Sequence, residues 1–433
     1  MKYLFTFLIF LYLTVQVKAQ QTNDRSVYTI DIDNFWKAYD STQTTNDTLK
    51  QRYFIQKLYI DVGTDGLKAF MKARNYDAKL YVEFINKYPK FWNSIRKNTL
   101  QIKTRVGQIE QSINKLKKLY PEMKPAKMYF TIGGLRSGGT TTGNMVLVGT
   151  EIAAADMNTD ASELSDWLKN AFKNQQMANL ISLNVHEYVH TQQKQASGIL
   201  LDQCISEGMA DFIAELVTNE RENTTYMVYG RVHESELKEK FKAEMYSSDF
   251  YNWLYNGTTF LHGDLGYFIG YEICQSYYTN AKNKEQAIKE MIGLNYADSA
   301  AVDSFLHRSG YYKEQINREE IFADFESKRP YITSLSPVIN SHTDVPANIT
   351  EITLSFSEPM GKGVSISSGE NAADQYPISS VIGFSDDGRS IKLKLALQPG
   401  TAYSFQITGK KFRSQIGYPL KPYAVNFKTK NGQ

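Results

Sequence analysis

The sequence predicts a multidomain chain in which a helical N-terminal region leads into an α+β core, followed by a C-terminal all-β sandwich. Three observations predict it. The 433 residues exceed one ordinary domain. Apolar residues recur at three-four spacing through much of the first 330 positions, and beyond Pro330 the pattern changes to short alternating runs split by turn residues. With 42% hydrophobic and 22% charged residues, the composition is globular and excludes a largely disordered chain or a polytopic membrane protein. Forty-nine Lys and Arg against 46 Asp and Glu leave a net charge of +3, too little to suggest a nucleic acid as partner. Two cysteines, Cys204 and Cys274, exclude a disulfide scaffold and a four-cysteine zinc site.

In chain order, residues 1–19 read as a signal peptide. Lys2 supplies the positive charge, Tyr3 to Val15 a short apolar run, and Val17-Lys18-Ala19 the small residues near a cut before Gln20. No cysteine lies near that cut and no later run approaches 18 apolar residues. A secreted or periplasmic protein without a lipid anchor or stable membrane insertion is therefore expected. Residues 20–124 are expected to be helical, with periodic stretches at Leu49 to Met71, Ala78 to Tyr88 and Leu100 to Leu119. Residues 125–330 begin with strand-like Met128 to Ile132 and Met145 to Gly149, joined by a glycine-rich loop over 133–140 that contains no phosphate-binding fingerprint. Residues 331–433 carry alternating runs at Ile352 to Phe356, Ile391 to Leu395, Tyr403 to Ile407 and Ala424 to Phe427. Turns at Asp386-Asp387-Gly388 and Pro399-Gly400 separate them, and Thr333 to Pro337 reads as a linker.

Chemistry concentrates in Asn184-Val185-His186-Glu187-Tyr188-Val189-His190. Residues four apart on a helix share a face, so His186 and His190 can present adjacent imidazoles to a zinc ion. Glu187, beside the first ligand, could reach a metal-bound water as general base. A chance HExxH occurs in roughly 0.4% of chains with this histidine content, so context must decide. Downstream, Glu207 lies on a second helical pattern with Ile205, Met209 and Phe212, at a distance that allows a loop and a returning helix. It is the expected third ligand. Asp211, four residues on, could accept the free ring N–H of a ligand histidine. Cys204 lies near enough to be an alternative ligand, and in an oxidising compartment Cys204 and Cys274 either pair or remain buried thiols.

HExxH followed by ExxxD resembles the gluzincin, thermolysin-like zinc metallopeptidases. His-Glu-Tyr-Val-His with Glu-Gly-Met-Ala-Asp-Phe is similar to a branch of secreted zinc proteases, over roughly residues 125–280. The resemblance implies a zincin-like core with Zn2+ on His186, His190 and Glu207, Glu187 as base, Asp211 behind a ligand, and a protein or peptide substrate. The sixteen residues between His190 and Glu207 depart from the familiar spacing. An oxyanion donor is also needed for peptide hydrolysis, and His262, Tyr267 and Tyr271 are the candidates. The alternative is an inactive or structural zincin acting as a surface binding or adhesion protein.

Pro346, Phe356-Ser357-Glu358-Pro359-Met360, Leu397-Gln398-Pro399-Gly400-Thr401-Ala402-Tyr403 and Phe427-Lys428-Thr429 resemble bacterial Ig-like modules over residues 331–433. That resemblance implies a spacer or a module binding a surface ligand, with Phe356 and Tyr403 as core residues.

Overall fold

The computed structural model describes residues 26–431 apart from 175–178, 222, 258 and 339. The expected signal peptide lies outside the described residues. The chain is multidomain, with a helix-rich N-terminal part and a β-rich C-terminal domain, and each part has its own hydrophobic core.

The helices are α1 (Ile30–Thr42), α2 (Thr48–Ile55), α3 (Asp65–Arg74), α4 (Ala78–Lys87), α5 (Pro89–Leu119), α6 (Thr150–Ala153), α7 (Asp166–Asn174), α8 (Leu180–His190), α9 (Leu200–Thr218), α10 (Thr225–Glu244), α11 (Leu265–Asn280), α12 (Lys284–Ile292), α13 (Ser299–Ser309) and α14 (Arg318–Ser327). Among them runs a four-stranded sheet of β1 (Val27–Tyr28), β2 (Lys127–Thr131), β3 (Gly139–Thr142) and β4 (Met145–Gly149), in the order β1-β2-β4-β3. β1, β2 and β4 are parallel, and β3 closes the edge antiparallel to β4. The sequence had suggested only a loop where β3 forms.

The stretch Leu49 to Met71, expected as one periodic run, is broken. A π turn, Gln56–Ile60, follows α2, and the chain restarts at Thr64, whose hydroxyl caps α3 by accepting the Leu67 N–H at 3.2 Å. Thr64 in turn donates to the buried Asp31 carboxylate at 2.5 Å, so a contact from α1 sets the break. Phe35, Trp36, Tyr39, Tyr59, Tyr81 and Trp92 interlock in one aromatic cluster. The Tyr59 and Tyr81 hydroxyls donate to the Ile132 carbonyl at 2.8 and 2.6 Å. The helical N-terminal segment therefore grips the end of β2, and its side chains belong to the same core as those around α8 to α13.

Gly208 and Gly270 place α11 against α9. A Cβ at Gly208 would lie 2.0 Å from the Tyr271 backbone nitrogen, and one at Gly270 would lie 1.7 Å from the Cys204 carbonyl oxygen. Only glycine allows that approach of the two backbones.

The C-terminal domain contains β5 (Ile332–Ser336), β6 (Glu351–Phe356), β7 (Ile366–Ser368), β8 (Ile378–Phe384), β9 (Ser390–Leu395), β10 (Ala402–Ile407) and β11 (Tyr423–Lys428). Sheets of order β5-β6-β9-β8 and β11-β10-β7 enclose Ile352, Leu354, Ile391, Leu393, Phe405 and Phe427. Alternate residues of β6 and β9 point inward, each buried aliphatic side chain contributing about 1.5–3 kcal/mol. Phe356 and Tyr403 are in this core. The expected linker at Thr333 to Pro337 is mostly strand β5, paired with β6, because Ile332 and Leu335 pack on the sandwich core.

Arg413 ties the two parts together. Its guanidinium pairs with Asp249, donates to the Gly417 carbonyl at 2.7 Å and lies 3.9 Å from the Tyr251 ring centroid. Arg329 donates to the Pro419 and Leu420 carbonyls at 3.1 and 3.0 Å. Among the described residues, no helix is long and apolar enough to cross a membrane.

Candidate metal centre

Helical spacing puts His186 and His190 one turn apart on α8, with ring centroids separated by 4.6 Å and planes at 88°. Their Nε2 atoms are 3.0 Å apart. After the loop 191–199, α9 brings Glu207 Oε2 to 3.5 Å from His186 Nε2 and 3.2 Å from His190 Nε2. Zinc bonds of about 2.0–2.1 Å in a tetrahedron require donor atoms about 3.3–3.4 Å apart. The three edges average close to that value. Among the described residues, these three form a group of His, Cys, Asp or Glu suited to a metal ion.

The protons on the two rings follow from their other nitrogens. His186 Nδ1 is 2.6 Å from Asp211 Oδ1, and Asp211 Oδ2 accepts from the Tyr226 hydroxyl at 3.0 Å. His190 Nδ1 is 2.6 Å from Gln193 Oε1. Gln193 donates its Nε2–H to the Ser206 carbonyl at 2.8 Å, which fixes its oxygen toward the ring. Both Nδ1 atoms therefore donate, and both Nε2 lone pairs of the neutral rings face a carboxylate oxygen. Three acceptors converge there, and they repel unless a cation lies among them.

Without another cation, the same converging acceptors attract protons to the rings. Burial opposes charge on every member of the cluster, but the neighbours outweigh it. The carboxylates of Asp211 and Glu207 raise the His186 pKa well above its ordinary value, and Glu207 also raises that of His190. The two imidazoles hold Glu207 well below the usual carboxylate range. The site favours positive charge.

The remaining candidates are distributed differently. Asp211 lies behind His186, as described. Glu187 lies on α8 with its carboxylate against β3, where a Cβ at Gly139 would be 3.0 Å from Oε1. Tyr267 stacks on His186 at 6.2 Å and meets Tyr226 at a 38° tilt at 5.4 Å. Tyr271 does not reach the cluster. It lies one turn farther along α11, buried against Phe212. His262 is exposed and stacks on Tyr229 at 4.1 Å, away from the three ligands. Cys204 and Cys274 are both buried and free, so the expected alternative of a disulfide does not occur.

Sequence reasoning missed Gln193, Gln203, Tyr226 and Tyr255. Gln193 lies three residues after His190, and Gln203 four residues before Glu207, so helical spacing was a usable signal for both. Gln203 Nε2 and the Tyr255 hydroxyl donate to Glu207 Oε1 at 3.3 and 2.9 Å. Nothing local marks Tyr226 or Tyr255.

Comparison with known proteins corrects the functional reading. A model described as bacterial Ig-like domain matches residues 326–429. The model of the gliding motility protein GldB family matches residues 16–246, more than half of the chain and inclusive of His186, His190 and Glu207. Neither is a peptidase family. The assignment to a gluzincin, thermolysin-like metallopeptidase is therefore overturned, and with it the hydrolase and metalloprotease reading. The physical reason is that HExxH spacing encodes how a helix presents two ligands, and any metal-holding helix can use it. No protein of curated function matches the chain. Among solved structures, CopC from Methylosinus trichosporium OB3b is 16% identical, with 24% of this chain and 97% of that one covered and a TM-score of 0.20. The S-layer protein SbsC is 11% identical over 93% of this chain and 45% of that one, with a TM-score of 0.18. A six-domain SbsC structure is 12% identical over 85% and 46%, also at 0.18. This chain thus spans less than half of those two SbsC structures, and such scores carry no inference. By the extent of its family match, the chain belongs to the gliding motility protein GldB family and carries a bacterial Ig-like domain after it.

Proposed function

We propose that this chain is an exported, envelope-associated motility protein that works by binding, with one zinc ion held in its helical domain by His186, His190 and Glu207. The observation that carries the reading is the convergence of two imidazole lone pairs and a carboxylate oxygen at 3.0, 3.2 and 3.5 Å, with the second polar atom of each group already engaged. Two histidines and one carboxylate are a donor set suited to zinc. When bound, the metal supplies the positive charge that three converging acceptors require and links α8 to α9. Asp211 and Gln193 hold the rings in the tautomer that leaves Nε2 bare. Three protein donors leave a coordination position for a group from outside the chain, and the Ig-like domain offers a second surface to a protein partner. The family description favours a motility role.

Elemental analysis of the purified mature chain tests this reading. One zinc per chain is expected, lost in His190→Ala, with a lower Tm after chelation. An allele encoding Glu207→Gln is expected to be exported but to glide poorly on agar. Absence of stoichiometric metal, or chelator-sensitive cleavage of a peptide library, overturns the reading.

A further inference from the structure

Tyr255 holds an unusual position for its residue type. Its backbone is left-handed, with φ +57°, a conformation that a residue with a Cβ rarely adopts. Packing does not compensate, since Tyr255 is 58% exposed and its main ring contact is an edge-on approach to Phe250 at 6.3 Å. Its hydroxyl is fully engaged. It accepts from Gln203 Nε2 at 2.8 Å and donates to Glu207 Oε1 at 2.9 Å.

The surrounding loop enforces that placement. Asn256 N–H donates to Asp264 Oδ1 at 2.9 Å, and Asp264 N–H donates to Asn256 Oδ1 at 2.6 Å. Gly266 N–H closes the clasp on the Trp253 carbonyl at 2.7 Å. Within it, Gly257 and Gly263 approach so closely that a Cβ at Gly263 would lie 2.5 Å from the Gly257 Cα. A strained residue persists where its surroundings over-determine it, and such residues gather at ligand sites.

We propose that Tyr255 is a positioning residue for the metal. Together with Gln203 it occupies Glu207 Oε1, so that Glu207 offers the ion only Oε2, the atom facing both histidines. One carboxylate oxygen in place of two keeps a coordination position free for an outside ligand. This inference rests on the zinc reading above. Strain in the loop is set against a defined coordination number, which explains why a tyrosine and not a glycine stands at this left-handed position.

The test compares the wild-type full chain with Tyr255→Phe, which keeps the ring and removes only the hydroxyl. Zinc affinity is measured by competition with a chelating dye, coordination by the visible spectrum of the cobalt-substituted protein, and folding by the Tm of each metal-free form. The expected result is one zinc per chain in both proteins, a 10–100-fold weaker affinity in Tyr255→Phe, and a weaker cobalt absorption as Glu207 turns two oxygens to the ion. The metal-free Tyr255→Phe form is expected to fold and to melt only slightly lower, by the one hydrogen bond to Glu207 that it loses. Equal affinity and identical cobalt spectra overturn the role of Tyr255 while leaving the zinc reading intact. A wild-type chain that holds no zinc overturns both.

Discussion

Replacing Glu151 with Gln removes a buried carboxylate that no cation balances among its principal neighbours. Glu151 is fully buried and accepts the N–H groups of Gly133 and Leu135 at 2.7 and 2.8 Å. It thereby holds the left-handed Gly134-Leu135 turn, which leads to β3 beside the candidate metal site. Burial pushes its pKa up to about 7 from 4.5, although the two N–H groups pull it back. The folded chain therefore keeps a proton that the unfolded chain releases between those values. Stability is full below pH 4.5 and is lost as pH rises toward about 7. At about 1.4 kcal/mol per pH unit, the loss amounts to ~3 kcal/mol. An amide cannot titrate, and it leaves one N–H unpaired at a cost of about 1–3 kcal/mol at every pH. The four tryptophans all precede Pro330, so their fluorescence in urea follows the helix-rich part alone. The wild-type advantage over Glu151→Gln is expected to shrink by ~3 kcal/mol from acid to neutral pH. Glu272, also raised to about 7, is common to both proteins and cancels in the difference. A difference that stays constant with pH would refute the reasoning.

Three further outcomes are expected. Asp211→Asn replaces the charged partner of His186 Nδ1 and should weaken zinc binding about 10–100-fold in chelator competition, with the fold retained. Gly270→Ala forces α11 away from α9 and should cost about 3 kcal/mol, whereas Gly107→Ala, with no atom within 4 Å of the new methyl, should stabilise by about 1 kcal/mol in urea unfolding. Asp249→Ala leaves the buried Arg413 guanidinium unpaired, which should cost about 3–5 kcal/mol and separate the melting of the two parts in calorimetry.

What could be read from the sequence was what is local. His186 and His190 share a helix face through backbone periodicity alone, and Glu207 and Asp211 repeat that spacing on α9, so sequence reasoning could bring all four into one cluster. β9 was legible because its residues alternate between core and solvent. β5 was not, because its Ser and Thr residues resemble a linker until β6 is beside them. The break before α3 depends on Asp31, 33 residues earlier. Tyr226 and Tyr255 reach the centre from segments 15 and 48 residues beyond the side chains they hold, and no periodicity connects them. The same division explains the functional misreading. Ligand spacing is a property of one helix, but the use of a metal depends on groups assembled around it from elsewhere in the fold. All three expected oxyanion donors came from α11 and its approach. Of the three, Tyr271 went to the core, because glycine contacts at Gly208 and Gly270 position α11, and His262 lies exposed in the segment before that helix. A tyrosine four residues from a site-facing tyrosine is therefore weak grounds for a catalytic role. A strained tyrosine whose hydroxyl is committed to a ligand is stronger grounds for a positioning one.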